Sequence, residues 1–288
     1  VTSTLCLRIA TRFSPQARAQ ADHIANELGA AHPAIDVQWV FVDTVGDRRV
    51  DVPLHRIGGQ GVFVKEVQRA VIDGRADIAV HSAKDLPSTF TPGLTIGAYG
   101  ARRDARDVLV GTTLDELAVG ATVATGSVRR KALLAERRPD LQFTELRGNI
   151  ATRLSKVPAN GAIVMAAAAL DILGMPDRIS DYLDPSWFIP QVGQGAVAIE
   201  CRDDDADTLG VLAMIDNQAS RFAVELERTF LAEIGSGCSL PVGAHVADGY
   251  LTAFSQAVDG VIRRGRALVE GVGDPLAVAR QLAADVSR

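Results

Sequence analysis

The feature that most restricts how this chain can fold is a repeated alternation of short apolar runs with longer stretches of helical spacing. Residues 5–10, 37–42 and 76–80 are too brief to be independent helices and read as strands. Between them, residues 14–28 read as a helix with Ser14 at its cap and Pro15 at its first position, and residues 62–72 as a second helix. A second series begins near Leu109, with strands at 122–124, 142–146 and 162–166 and helices at 128–136 and 150–156. These strands do not alternate polar with apolar residues, the pattern of a parallel sheet covered on both faces. After the loop 185–195 come a strand at 196–201, helices at 205–215 and 220–234, strands at 242–247, 251–258 and 265–270, and a helix at 275–286. An α/β class follows, closed by a small α+β unit.

A length of 288 residues exceeds one ordinary hydrophobic core, so two or three compact units are expected. The longest apolar run, residues 162–170, is about half of what a membrane span needs. Arg8 and Arg12 interrupt the N-terminal stretch, which lacks the layout of a secretory signal, and a cytoplasmic protein is expected. Cys6, Cys201 and Cys238 have neither disulfide nor metal spacing. Cys6 and Cys201 lie in strand-like runs and read as core residues. A net charge of -5 gives nucleic acid and anionic lipid no overall attraction.

Four segments carry chemistry. Residues 79–88 run Ala-Val-His-Ser-Ala-Lys-Asp-Leu-Pro-Ser from a strand into a loop, placing Lys84 beside Asp85 where an α/β sheet presents its ligand. Ser127, Arg129 and Arg130 follow the next strand and open a helix, where free backbone N–H groups favour anions. Arg147 and Arg153 repeat that arrangement one unit later, and Arg12 follows the first strand. Arginines recurring at strand ends imply a polyanionic ligand. No phosphate loop or dinucleotide fingerprint is present, so carboxylates are the better expectation. The fourth segment, Gly235-Ser236-Gly237-Cys238-Ser239-Leu240-Pro241, sets a thiol in a glycine-rich turn that a ligand could approach. Residues 43–61 are polar and glycine-rich, a surface loop or a lid.

Together with Gly58-Gly59-Gln60-Gly61-Val62-Phe63 and Ile189-Pro190-Gln191-Val192-Gly193-Gln194-Gly195, these segments resemble the porphobilinogen deaminase family. The resemblance implies two periplasmic-binding-protein-like α/β lobes with mixed sheets around a cleft, plus a small α+β C-terminal domain. It divides the chain into a discontinuous domain 1 (1–100 and 196–218), domain 2 (101–195) and domain 3 (219–288). It implies a monomeric enzyme of tetrapyrrole biosynthesis that condenses four porphobilinogen molecules, releases ammonia, and carries a dipyrromethane cofactor on Cys238. Asp85 and Lys84 become the catalytic pair. Arg12, Ser14, Ser127, Arg129, Arg130, Arg147, Arg153 and Gln194 become binders of substrate and cofactor carboxylates, and residues 43–61 a lid bearing Gln60 and Phe63. One departure concerns elongation: Ile172 stands where the family usually has an arginine that helps to hold the growing product.

Two other readings compete. A non-catalytic two-lobed binding protein for a small anion would use the same arginines but have no need of Asp85 or Cys238. A Cys-His hydrolase would need His81 or His245 beside Cys238, and no sequence motif joins them.

Overall fold

A computed structural model describes residues 5–48, 61–235, 240–257 and 259–287. Gln60, Cys238 and most of the expected lid therefore lie outside the described residues. The first sheet contains β1 (Leu5–Arg12), β2 (Ile35–Val42), β3 (Ile78–Ser82), β4 (Leu94–Tyr99) and the much later β10 (Val197–Arg202), in the order β2-β1-β3-β10-β4. Successive side chains point to opposite faces of a strand, and this period sorts the core. Leu7, Ile9, Ile78 and Val80 face helix α1 (Pro15–Ala31) through Ala21, Ile24 and Leu28. Ala10 and Ala79 face the other way, under Val67, Ala70 and Val71 of α3 (Lys65–Ile72); a single turn, α2 (Val45–Arg48), precedes it.

The second sheet has the same plan. Its strands β5 (Asp107–Val110), β6 (Thr122–Ala124), β7 (Gln142–Thr144), β8 (Ala162–Ala166) and β9 (Asp181–Tyr182) lie in the order β7-β6-β8-β5-β9. In each sheet four strands run in one direction and the strand in the fourth position, β10 or β5, is antiparallel to both neighbours. The sheets are mixed, as the resemblance implied, and the non-alternating strands read as parallel are interrupted by one antiparallel strand in each. The reason is topological: β5 and β10 are the strands by which the chain enters each sheet after crossing over from the other. Helix α4 (Val128–Arg137) covers one face through Leu133 and Leu134. The short helices α5 (Ile150–Leu154) and α6 (Ala167–Asp171) cover the other through Ile150, Leu154 and Leu170.

Helix α7 (Ala206–Leu212) returns to the first core through Val211 and Leu212. Helix α8 (Gln218–Ile234) then packs with α9 (Pro275–Ser287) on an antiparallel sheet of β11 (Val242–Ala247), β12 (Tyr250–Gln256) and β13 (Ile262–Leu268). A fully buried carboxylate ties this unit to the crossovers. Glu227 of α8 accepts hydrogen bonds from both terminal nitrogens of Arg102 (2.7 and 3.1 Å), from Gly193 N (2.8 Å) and from Val246 N (2.9 Å). Burial alone would raise its carboxyl, but Arg102 and His245 hold it down to about 2.

Several local expectations change. β4, β9 and α6 emerge where no element was expected, and β13 starts three residues early because its polar arginines alternate with inward residues. Cys201 is buried, whereas Cys6 is exposed. Cys6 shares the face of Ala10 but lies near the start of β1, where no apolar cluster reaches it.

Candidate active site

β3 delivers its side chains into a single 3-10 turn, Ala83–Asp85, so Lys84 and Asp85 leave the sheet edge together. The returning crossover clamps this turn. Ala83 N donates to Ala196 O (3.0 Å) and Gln191 Nε2 to Lys84 O (3.2 Å). Gly193, at φ 70°, leaves room for it: a Cβ there would come within 3.1 Å of Ala83 and of Lys84 N. Gln194 is fully buried, and its amide donates to Ala105 O (2.7 Å), which turns its carbonyl oxygen toward Lys84 Nζ (3.2 Å). Burial, with Arg130 nearby, lowers the Lys84 ammonium to about 8 despite the pull of Asp85 and Asp107.

Asp85 opens onto a solvent-connected cavity that Arg12, Ser14, Phe63, His81 and Ser82 also line. The Arg12 guanidinium lies over the Phe63 ring, 4.2 Å from its centroid, which holds the cation flat at the cavity wall. Ser14 caps α1 by accepting from Ala17 N (3.3 Å), and its own O–H remains a donor. His81 Nε2 lies 3.1 Å from Glu200 Oε2, and Gln68 Nε2 donates to both Glu200 oxygens (3.1 and 2.9 Å). This buried trio supports the strand behind Asp85. His245 likewise faces a glutamate, Glu227, at 3.4 Å.

The second lobe contributes arginines in two kinds of environment. Arg129 and Arg130, expected to bind ligand carboxylates, share Asp107 of β5: Arg129 donates to Oδ2 (2.8 Å) and Arg130 Nε to Oδ1 (2.8 Å). Arg129 also donates to Ile189 O (2.7 Å) and Arg130 to Val164 O (2.9 Å). Arg129 is 3% exposed, so the structure does not bring its guanidinium to an open surface. The cause is Asp107: burial would raise its carboxyl, yet the two guanidiniums hold it below the ordinary carboxylate range. Both guanidiniums act on Lys84, Arg130 the more strongly.

Arg147 and Arg153 frame α5. Asn149 caps that helix by accepting from Thr152 N (2.9 Å), and Arg153 Nε donates to Gly148 O (2.8 Å). Burial, then Arg130 and Arg147, lowers the Arg153 guanidinium to about 10, with Asp85 acting against them. Burial also lowers Arg147. Lys84, Arg12 and Arg153 thus lie near Asp85, Arg130 and Arg147 lie near Arg153 in turn, and burial weakens Lys84, Arg147 and Arg153 as cations. Bound anions would relieve that strain, so a group bearing several carboxylates fits the chemistry of these donors.

Sequence reading overlooked Asp107, although a lone Asp opening the apolar run Val108-Leu109-Val110 is itself a signal of a buried partner. It also overlooked Gln16 and Gln20, one helical turn apart on α1; Gln20 Oε1 accepts from Ser82 Oγ (2.9 Å). Among the described residues no cluster of His, Cys, Asp and Glu suits a metal ion, and no helix is long and apolar enough to cross a membrane.

The fold and the cleft define a two-lobed α/β protein in which Asp85 faces a pocket with cationic side chains nearby. Residues 7–210 match the family model described as porphobilinogen deaminase, dipyromethane cofactor binding domain. A porphobilinogen deaminase of Roseiflexus sp. is 47% identical over 243 residues, covering 83% of this chain and 80% of that one. Those of Acidothermus cellulolyticus (44%; 98% and 88% covered) and Syntrophotalea carbinolica (40%; 96% and 90% covered) are similar over nearly their whole length. This chain belongs to the porphobilinogen deaminase family. Among solved structures, the methionine binding protein MetQ aligns at 14% identity with a TM-score of 0.44, covering 75% of this chain and 92% of that one.

Proposed function

We propose that this chain is a hydroxymethylbilane synthase, joining four porphobilinogen molecules head to tail with release of ammonia. The observation that carries the reading is the placement of Asp85 at the cavity, with Lys84 beside it, Arg130 close enough to act on Lys84 and Arg153 close enough to feel Asp85. The same proposal includes a monomeric protein of the cytoplasm, with porphobilinogen and no nucleic acid as its partner.

The cofactor, a dipyrromethane joined by a thioether to Cys238, supplies when bound the pyrrole terminus on which new units add. Asp85 accepts the pyrrole N–H of the incoming porphobilinogen. As the carbon–nitrogen bond breaks and ammonia leaves with the electron pair, positive charge spreads over that pyrrole, and the Asp85 carboxylate stabilises it. Asp85 then takes up, on a carboxylate oxygen, the proton displaced when the new carbon–carbon bond forms, and returns it to solvent. Arg12, Arg147 and Arg153 hold acetate and propionate groups, with Lys84 and Ser14 as further polar contacts, while Arg129, Arg130, Ser127 and Gln194 support these groups from within the lobes.

Intact-mass measurement of the isolated protein tests the anchor. The expected mass exceeds that of the sequence by one dipyrromethane, with a pink Ehrlich reaction that Cys238→Ser abolishes. Active protein with an unmodified Cys238 would remove the cofactor assignment. Loaded protein that releases no ammonia from porphobilinogen and forms no uroporphyrin would instead favour a non-catalytic anion-binding protein.

A further inference from the structure

A second, small pocket adjoins the one at Asp85 and shares Gln16, Gln20 and Ser82 with it. Its remaining walls are Lys84, Arg103, the small side chains Ala166, Ala168 and Ala169, and the returning strand from Gly195. Among the described residues two cations line it and no acid does, while the alanines leave space on the side of the second lobe.

Arg103 differs from the arginines beside it in the crossover. Arg102 spends three nitrogens, two on Glu227 and Nε on Gln194 O (2.9 Å). Arg106 grips Asp104 through Nε and one terminal nitrogen. Arg103 makes one side-chain hydrogen bond among the described residues, from one terminal nitrogen to Asp171 Oδ2 at 2.5 Å. Its backbone is fixed at the crossing of the two inter-lobe segments: Arg103 N donates to Gly195 O (2.9 Å). Gly195, at φ 86°, admits this approach, since a Cβ would stand 2.5 Å from Arg103 O. A guanidinium anchored at its base and at one nitrogen presents its other edge for a planar, two-pronged contact with a carboxylate.

Resting on the function proposed above, we propose that Arg103 binds a carboxylate of the lengthening product in this second cavity. Asp171 aims Arg103 from the residue that directly precedes Ile172, so the cation comes from the crossover rather than from α6. A chain that grows from the Asp85 cavity needs an adjoining space with cationic walls, and this cavity supplies one.

The test compares native protein, Arg103→Gln and Arg103→Lys, each isolated with its cofactor and then given limiting porphobilinogen. Intact mass reads how many pyrrole units each molecule carries, and steady-state assays read turnover. Arg103→Gln is expected to load the cofactor and take up the first unit normally. It should then accumulate short adducts and turn over at least about ten-fold more slowly, the loss of a charge-assisted contact with the product. Arg103→Lys keeps the charge without the fork and should stall to a smaller degree; it decides the matter if Arg103→Gln does not fold. An adduct distribution and turnover matching the native protein in either folded variant overturns the proposal. Native protein that forms no adducts overturns the functional reading, and this inference with it.

Discussion

The two five-stranded sheets share one topology and put it to opposite electrostatic uses. After the strand in the second position of each sheet a helix opens on a serine cap, Ser14 after β1 and Ser127 after β6. After its central strand each makes a short helical turn, but in the first lobe this turn holds Lys84 and Asp85, and in the second it is a run of alanines. The antiparallel strand differs in the same sense. β5 brings Asp107 into the second lobe to bind two arginines internally, while β10 brings Glu200 against His81 and Gln68 behind the reactive turn. Shared topology therefore sets where side chains emerge. The partner on the antiparallel strand then decides whether a charge is spent inside the protein or kept for a ligand.

The largest effect is expected where that spending is complete. Asp107→Ala leaves Arg129 and Arg130 buried without their shared carboxylate, and should lower unfolding stability by about 3–5 kcal/mol in chemical denaturation. The pH dependence has a definite sign. The Asp107 carboxyl lies below its ordinary value in the folded protein, so its stabilisation is present above that value and disappears as pH falls through the folded one. The gap between native and variant should accordingly narrow in acid. A loss below about 1 kcal/mol, as for an exposed pair, would mean that the second lobe does not depend on its internal charges.

The first lobe should show the reverse pattern, large in rate and small in stability. Asp85→Asn keeps the size of the side chain but removes its charge, and should lower kcat by about 100-fold to 1000-fold. The melting temperature should stay close to native, because Asp85 is half-buried and faces the cavity. Near-native ammonia release by Asp85→Asn would detach the chemistry from this turn and undo the contrast between the lobes.

This contrast was only half legible in the sequence. The Lys84-Asp85 turn, the serine caps and the arginines at strand ends could be read because each depends on neighbours a few residues away. The destination of Arg129 could not, since its partner Asp107 lies 22 residues earlier on a strand whose place is set by the crossover. The antiparallel course of β10 depends likewise on the chain having left the first sheet after β4. Cys6 and Cys201 sit in similar apolar runs and differ in burial because a distant element covers only one of them. Short-range chemistry was visible; the balance between spent and available charge was not.

A third test uses pH to ask whether Lys84 serves the ligand as a cation. Burial and Arg130 bring its ammonium down to about 8, so in the free enzyme the charge is lost as pH rises through that value. The kcat/KM for porphobilinogen, which reports the free enzyme, should fall up to ten-fold per pH unit above about 8. Lys84→Arg keeps its charge over that range and should flatten the limb. A native profile level to pH 9.5 would mean that Lys84 binds ligand without being needed as a cation. For stability the sign is opposite: a depressed folded value makes the folded protein more stable as pH rises from about 8 toward the ordinary lysine range.

The smallest effects come from the matched caps and divide the lobes most finely. Ser14 Oγ accepts from Ala17 N (3.3 Å) and Ser127 Oγ from Arg130 N (3.4 Å), so Ser14→Ala and Ser127→Ala should each cost about 1 kcal/mol of stability. Their kinetic effects should differ. Ser14 lines the Asp85 cavity and retains an O–H to donate, so its loss should raise KM about three-fold to ten-fold with kcat nearly unchanged, the mark of uniform binding. Ser127 opens a helix whose first arginines point at Asp107, and its alanine variant should leave KM within about two-fold of native if the cap acts only through the helix. An equal rise in KM for both variants would show that the second lobe presents its cap to the ligand as the first does, and Ser127 would then be a contact rather than a support.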